Sequence, residues 1–483
     1  MLPGSEPPSM RPSSFSLASP IMPVQDRVHR TWLHSQRPVP RIFISPVLRF
    51  MQLEAASGVL MLVAAVVAIV WANLPGGESY ERFWETAVNL HIGGFALNET
   101  LRDVVNDALM AIFFFVVGLE IKRELAVGEL RDPKAAGLPV FAALGGMIFP
   151  ALIYLAFVNN LGPEATRGWG VPVATDIAFS IGILALVSKR VPLGAKLFLL
   201  TLAIADDIGG IIVIAIFYTT NLALKYLIGA IVLFALVKLA ERAGIRSMGF
   251  YWAVGLVIWY FMLESGVHPT LTGVFLGLLT PATAMYTDRQ YYEKTDFVLK
   301  AYGPEEDSRH SQARVDHSAR EVAAIATESI PPLNRLEHAL TPWSSFLVIP
   351  IFALANAGVR FTGVNILDEL TSKVTLGVGL GLLVGKFVGV SLFTAIAIKL
   401  GIGKLPNNTT WHHIFGVALL AGVGFTVALF ITTLAFRDPE IINMAKTGVF
   451  AGSFLAGALG YTYLRFFTKP IETTSIDDLE SAE

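Results

Sequence analysis

The sequence predicts an all-α polytopic membrane protein of about twelve transmembrane helices, two of them interrupted, with a small extracytoplasmic β-hairpin. Three observations carry that prediction. Of 483 residues, 54% are hydrophobic and only 15% charged, and the mean hydropathy is +0.59, too apolar for a soluble chain of ordinary composition. Apolar runs of about 20 residues, the length that crosses hydrocarbon, recur along most of the chain. Spans in such number must be helices, because a helix satisfies its own backbone where lipid offers no hydrogen bonds. The absence of cysteine excludes disulfides and thiolate metal sites, and a net charge of −2 gives no argument for a nucleic-acid partner.

Taken in order, Met1 to Arg49 is rich in Pro and Ser and holds six Arg, no Lys and two acids, Glu6 and Asp26. Residues 1–48 are read as a disordered cytoplasmic tail; organelle transit leaders share that composition, but no amphipathic helix is evident. The membrane domain occupies 49–469, with 470–483 a short cytoplasmic tail. Its spans are expected at Leu53 to Asn73, Leu101 to Ile121, Ala135 to Val158, Val171 to Val187, Leu193 to Tyr218 and Ala223 to Leu239. The second half follows with Gly249 to Leu263, Pro269 to Tyr286, Pro342 to Gly358, Leu376 to Ile398, His413 to Phe436 and Ile441 to Phe466.

Basic residues fall in alternate loops: Lys122, Arg123, Arg131 and Lys134, then Lys189 and Arg190, then Lys238, Arg242 and Arg246, then Lys399, Lys404, Arg465 and Lys469. The opposite loops carry Glu78, Glu81, Glu85, Glu99, Asp368 and Glu369. This bias places both termini in the cytoplasm. Residues 288–337 form a cytoplasmic loop insertion of mixed charge with His310 and His317, read as solvated, partly disordered chain. Between the first two spans, Asn89 to Asn98 alternates apolar and polar residues around Gly93-Gly94, a hairpin signal, although an ordinary external loop fits the pattern equally. A hairpin there has a free edge that suits pairing with a second protomer.

The intramembrane ionisable residues singled out are Asp107, Asp176, Asp206, Asp207 and Lys386. An ionised Asp at the bilayer centre costs about 2.5 to 3.5 kcal/mol on the mildest scale, so each needs water, a counter-charge, a cation or a proton. Asp206 and Asp207 are consecutive, pointing about 100° apart on a helix, and so flank one cavity rather than share one face. Like charges disfavour joint ionisation, so protons and a cation compete for the pair. Asp176 lies in Val171-Pro172-Val173-Ala174-Thr175-Asp176-Ile177, and Ala421-Gly422-Val423-Gly424-Phe425-Thr426 is a second interruption. Broken helices expose partial charges at their inner ends, and Asp176 is placed to balance the positive side.

Lys386 follows a Gly-rich run that looks like a phosphate loop, but the spacing is wrong and Phe387 stands where Ser or Thr is required, which excludes nucleotide binding. Gly377, Gly381, Gly385 and Gly389 recur every four residues and form one smooth face for close helix packing. Lys386, beside that face, is positioned to pair with a carboxylate, and Asp206 is the expected partner. Asp107, preceded by Asn106 near the outer end of the second span, suits an interfacial place as well as a functional one. Glu120 and Glu124 stand four residues apart around Lys122 and Arg123, forming one charged face at a cytoplasmic mouth.

Ala174-Thr175-Asp176-Ile177-Ala178-Phe179, Ala205-Asp206-Asp207-Ile208-Gly209, Gly385-Lys386, Val117-Gly118-Leu119-Glu120-Ile121-Lys122-Arg123-Glu124 and Arg335-Leu336-Glu337-His338 together resemble the NhaA family of bacterial sodium/proton antiporters, from about Arg49 to Lys469. The resemblance implies an inverted repeat relating the third to fifth spans to the tenth to twelfth, and a homodimer joined through the hairpin. It implies residence among the lipids of the bacterial inner membrane, with no enzymatic activity, no nucleotide and no cofactor. The implied work is electrogenic, pH-regulated exchange of two external protons for one cytoplasmic Na+ or Li+. Position by position, the resemblance assigns Asp206 and Asp207 to binding the transported Na+ and protons, Thr175 and Asp176 to the first helix break, and Lys386 to charge compensation. It assigns Glu120, Arg123, Glu124, Glu337 and His338 to pH sensing. The chain departs from the family pattern at Thr341-Pro342-Trp343, where a His precedes Pro-Trp in the family, and this bears on the pH response.

Three other classes share parts of the pattern. A proton-coupled carrier of an organic solute would exchange without sodium or lithium, and a passive cation channel would pass ions without counter-transport. An intramembrane aspartyl protease would need a Gly-x-Gly-Asp motif, which is absent, as is any ATP-binding motif.

Overall fold

The computed structural model describes residues 56–92, 95–219, 222–302, 311–361 and 365–470. The expected tail 1–48, Gly93-Gly94, and 471–483 of the C-terminal tail lie outside the described residues.

Helix α1, Ala56–Asn73, and the short α2, Glu78–Trp84, lead into the expected hairpin. Strand β1, Ala87–Ile92, pairs antiparallel with β2, Phe95–Thr100, in a register that sets Ala87 opposite Thr100 and Ile92 opposite Phe95. Thr100 then caps α3, Leu101–Ala126: its hydroxyl accepts from Asp103 N at 3.1 Å, and the Asp103 carboxylate accepts from Thr100 N at 3.2 Å. This reciprocal box joins hairpin to membrane helix. There follow α4, Pro133–Val158, α5, Pro163–Arg167, with a 3-10 segment Gly168–Val173, and α6, Ile177–Leu186. Next come α7, Leu193–Phe217, α8, Leu224–Arg242, α9, Met248–Ser265, and α10, Leu271–Leu279.

The insertion is a correction to the sequence reading. Rather than solvated coil it forms α11, Asp288–Ala301, and α12, Ser311–Glu328. Its last residues already belong to α13, Pro332–Asn356, which begins ten residues before the expected start at Pro342. The helix passes through Pro342, and a π turn at Ser344–Val348 immediately follows, absorbing the distortion that a proline without an N–H imposes. The chain closes with α14, Ile366–Leu370, α15, Lys373–Lys399, α16, Trp411–Leu420, α17, Phe425–Ala435, and α18, Pro439–Phe467.

Twelve spans are expected from the sequence. Among the described residues seven helices are long and apolar enough to cross a membrane, and two bent pairs, α5 with its 3-10 segment to α6 at 42° and α16 to α17 at 44°, bring the number to nine. Both interrupted helices are thus where the sequence predicts them. The three further expected spans correspond to α8, α9 and α10. Helix α10 has nine residues, about 14 Å at 1.5 Å per residue, half the thickness of the hydrocarbon. Helix α8 carries Lys225, Lys238, Glu241 and Arg242 at its ends, which shortens its apolar stretch.

Glycines set the closest helix approaches. A Cβ on Gly389 would lie 2.1 Å from the Gly145 carbonyl oxygen of α4, and one on Gly385 2.7 Å from Pro150 Cα. At Gly381 it would meet Pro172 Cβ at 2.7 Å, and at Gly377 Tyr154 Cδ2 at 3.1 Å. The four-residue glycine face of α15 therefore packs onto α4 and the segment leading to α6. Gly389→Ala is expected to cost about 1–3 kcal/mol through overpacking; thermal unfolding in detergent measures it, and an unchanged midpoint would contradict the contact.

Candidate functional site

The site begins with backbone geometry. Helix α6 starts at Ile177 and α17 at Phe425, each after a break, and the two breaks cross. Asp176 N donates to Val423 O at 2.6 Å, and Thr175 Oγ1 and Ser180 Oγ donate to Ala421 O and Leu420 O, each at 2.9 Å. These side chains and this amide satisfy carbonyls left open where α16 stops. In the other direction the Asp176 carboxylate accepts from Phe179 N at 3.0 Å through Oδ1, and from Thr426 N at 3.1 Å and Thr426 Oγ1 at 2.6 Å through Oδ2. One negative charge thereby faces the positive ends of two helices. Ser453 of α18 supports the same loop by accepting from Gly424 N at 3.2 Å.

Helix α7 runs past this crossing and presents the carboxylate pair. Asp206 is fully buried, and its Oδ2 accepts from Lys386 Nζ at 2.6 Å and from Thr175 Oγ1 at 2.9 Å. Lys386 is also fully buried, so the pair expected between these residues is a desolvated one, in which attraction must offset the loss of water around both charges. A π turn at Gly381–Gly385 directly precedes Lys386 and sets the direction from which its side chain leaves α15. Asp206 Oδ1 is buried without a hydrogen-bond partner. Gly146 of α4 lies beside it: a Cβ there would stand 3.7 Å from this oxygen and 3.0 Å from Val390 Cγ2. Asp207 retains 7% exposure and stands within electrostatic reach of Asp206, Glu120 and Asp176.

Thr175, Asp176, Asp206, Asp207 and Lys386 therefore come together at one place. Among the described residues no three His, Asp or Glu side chains form a metal cage. Glu120, Arg123, Glu124 and Glu337 form a second group, at the end of α3. Arg123 pairs with Glu337 of α13 and approaches Glu124 at 4.0 Å, while Leu119, Leu333 and Leu336 pack beneath them. Glu337 O accepts from Thr341 Oγ1 at 2.7 Å, so the threonine at the family's departure point bonds within its own helix. His338 is exposed.

Asp107 belongs to neither group. It lines a separate cavity of about 390 Å³ with Asn106, His268, Asn356 and Lys446. Lys446, buried in α18, is a further ionisable residue inside a span, absent from the sequence-derived set. Thr426 is the other residue missed; as the first hydroxyl after Gly422-Val423-Gly424 it was visible, but only the crossing gives it a partner.

A family model described as Na+/H+ antiporter 1 matches residues 48–464. The Na(+)/H(+) antiporter NhaA 2 of Sorangium cellulosum is 42% identical over 446 residues, covering 92% of this chain and 95% of that protein. The Na(+)/H(+) antiporter NhaA of Oleidesulfovibrio alaskensis is 44% identical over 436 residues, covering 89% and 95%, and that of Escherichia coli O9:H4 is 43% identical over 426, covering 87% and 98%. The solved sodium proton antiporter of Methanocaldococcus jannaschii is a distant likeness, with a TM-score of 0.42 at 14% identity over 88% of this chain and 98% of that one.

Lys386→Met, which leaves Asp206 buried without its cation, is expected to destabilise the protein by about 3–5 kcal/mol. Adding Asp206→Asn is expected to recover most of that loss. Thermal unfolding of the single and double variants in detergent reads both, and equal midpoints would contradict a structurally coupled pair.

Proposed function

We propose, from the premise that the chain belongs to the Na+/H+ antiporter 1 family, that it is a secondary active antiporter of the bacterial inner membrane, exchanging cytoplasmic Na+ or Li+ for external protons. The observation that carries this reading is the Lys386 contact to Asp206, beside Asp207, at the crossing of two broken helices. In the resting arrangement the Lys386 ammonium occupies Asp206 Oδ2. A cation arriving between the two carboxylates displaces the protons held at the aspartates, and the ammonium leaves Oδ2. The loaded assembly reorients, and external protons reverse the exchange.

Two protons moving inward for one cation outward carry one net charge, so the membrane potential assists by about 2.3 kcal/mol per 100 mV. Asp176 and Thr175 hold the crossing in register while Lys386 supplies compensating charge. Glu120, Arg123, Glu124, Glu337 and His338 are the pH-sensing mouth on the cytoplasmic side, where both termini lie. With Thr341 in place of the family's histidine, His338 is the imidazole of that mouth. The edge of the β1–β2 hairpin joins two protomers.

Asp207→Asn is expected to abolish Na+-dependent proton flux in proteoliposomes holding the full chain. Exchange at the unmodified rate by that variant would overturn the assignment, as would flux that is independent of Na+ and Li+ or that needs no counter-ion.

A further inference from the structure

We propose that the cavity lined by Asp107 is a release station for the departing cation on the hairpin side, and that Lys446 is a specificity-determining residue that opposes the return of Na+ through it. The inference rests on the exchange and the orientation proposed above. Five helix ends meet at this cavity: the start of α3 after the hairpin, the α9–α10 turn from Gly266 to Pro269, the last turns of α13 and α17, and the first two turns of α18. Its volume of about 390 Å³ has room for several waters or a hydrated alkali ion. Asp107 lies within a π turn of α3, Val105–Leu109, as Lys386 directly follows one in α15; such turns gather at functional positions.

The polar groups of the cavity are unevenly used. Asn356 Nδ2 donates to Asn106 Oδ1 at 2.7 Å and to Phe352 O at 3.1 Å, which leaves Asn356 Oδ1 buried without a partner. Among the described residues the Asp107 carboxylate accepts no hydrogen bond and has no cation within ion-pair distance, and Asp103 and Glu99 stand within its electrostatic reach. A carboxylate and an amide oxygen without partners are ligands that suit a hard cation. The α18 side carries the opposite charge. Lys446, 7% exposed, forms no hydrogen bond and no ion pair among the described residues. The charges that reach it are those of Arg102 and Glu81, already paired with each other at 2.6 Å, while His268 turns its Nε2 to Tyr218 O at 3.0 Å. A lysine so close to the start of a helix gains nothing from the helix dipole, whose N-terminal end is positive, and a buried ammonium without a partner costs stability. What Lys446 adds is a field: a cation in the cavity is drawn by Asp107 and Asn356 and pushed by Lys446, so it is admitted but not held. A low affinity on this side limits inhibition by sodium already expelled.

The test uses everted membrane vesicles holding the full chain, which turn the hairpin side to the lumen. Preloading the lumen with rising NaCl, with choline chloride keeping ionic strength constant, gives the lumenal Na+ that halves the collapse of a pH gradient driven by Na+ outside. The same vesicles without lumenal Na+ give the KM at the cytoplasmic face. Lys446→Met is expected to lower the half-inhibiting lumenal concentration about threefold and Asp107→Asn to raise it about threefold, with Lys446→Arg retaining the unmodified value. In each case the KM at the other face is expected to move less than about twofold. An unchanged half-inhibiting concentration for Lys446→Met would overturn the proposal, as would both variants shifting it the same way, or a KM moving in step with it, the mark of a merely structural defect. If Lys446→Met does not fold, Asp107→Asn decides alone, and the absence of a rise there overturns the idea. Absence of Na+-dependent exchange by the unmodified chain would instead overturn the antiport reading on which the inference stands.

Discussion

Asp176 is the constraint on which the rest of this molecule depends. Two helices must break inside an apolar bundle, and nothing there except protein can satisfy the freed groups. A single carboxylate accepts from Phe179 N at the head of α6 and from Thr426 at the head of α17, so both positive helix ends share one negative charge. The carbonyls abandoned by α16 are taken by Thr175, Ser180 and the Asp176 amide. Neither break is stable alone; each supplies the other's partners.

The crossing then decides what α7 can do. Thr175 has one hydroxyl proton and two acceptors within reach, Ala421 O and Asp206 Oδ2, so the break and the carboxylate pair are linked through a single shared hydrogen. Lys386 reaches the same oxygen of Asp206 from the opposite helix. One oxygen of Asp206 is thus doubly engaged while Oδ1 has no partner.

Much of this was legible before any coordinates. Intramembrane charge is rare enough that Asp176, Asp206, Asp207 and Lys386 stood out singly, and the Pro and Gly interruptions marked both breaks. The glycine face of α15 was readable from its four-residue spacing. What could not be read has identifiable physical causes. Pro342 looked like a helix start because proline ends most helices, but a π turn lets α13 run through it. The insertion looked unstructured by its charge, yet α11 and α12 are amphipathic helices that bury Val298 and Ile325. Lys446 was hidden by its place near a helix start, where a lysine ordinarily reaches water.

The contact between Gly145 and Gly389 has a mechanical meaning. Backbone meets backbone there, with the Phe393 ring of α15 packed beside it against Phe141 and Phe149 of α4, so the two helices form a single stiff lever. The neighbouring seam differs: a Cβ on Gly209 of α7 would meet Met147 Sδ of α4 at 2.1 Å, and a thioether is among the most adaptable fillers available. Lys386 rides on the lever and Asp206 on the helix across the soft seam. The ion pair therefore spans the α7 side of this seam, where a thioether rather than backbone fills the contact.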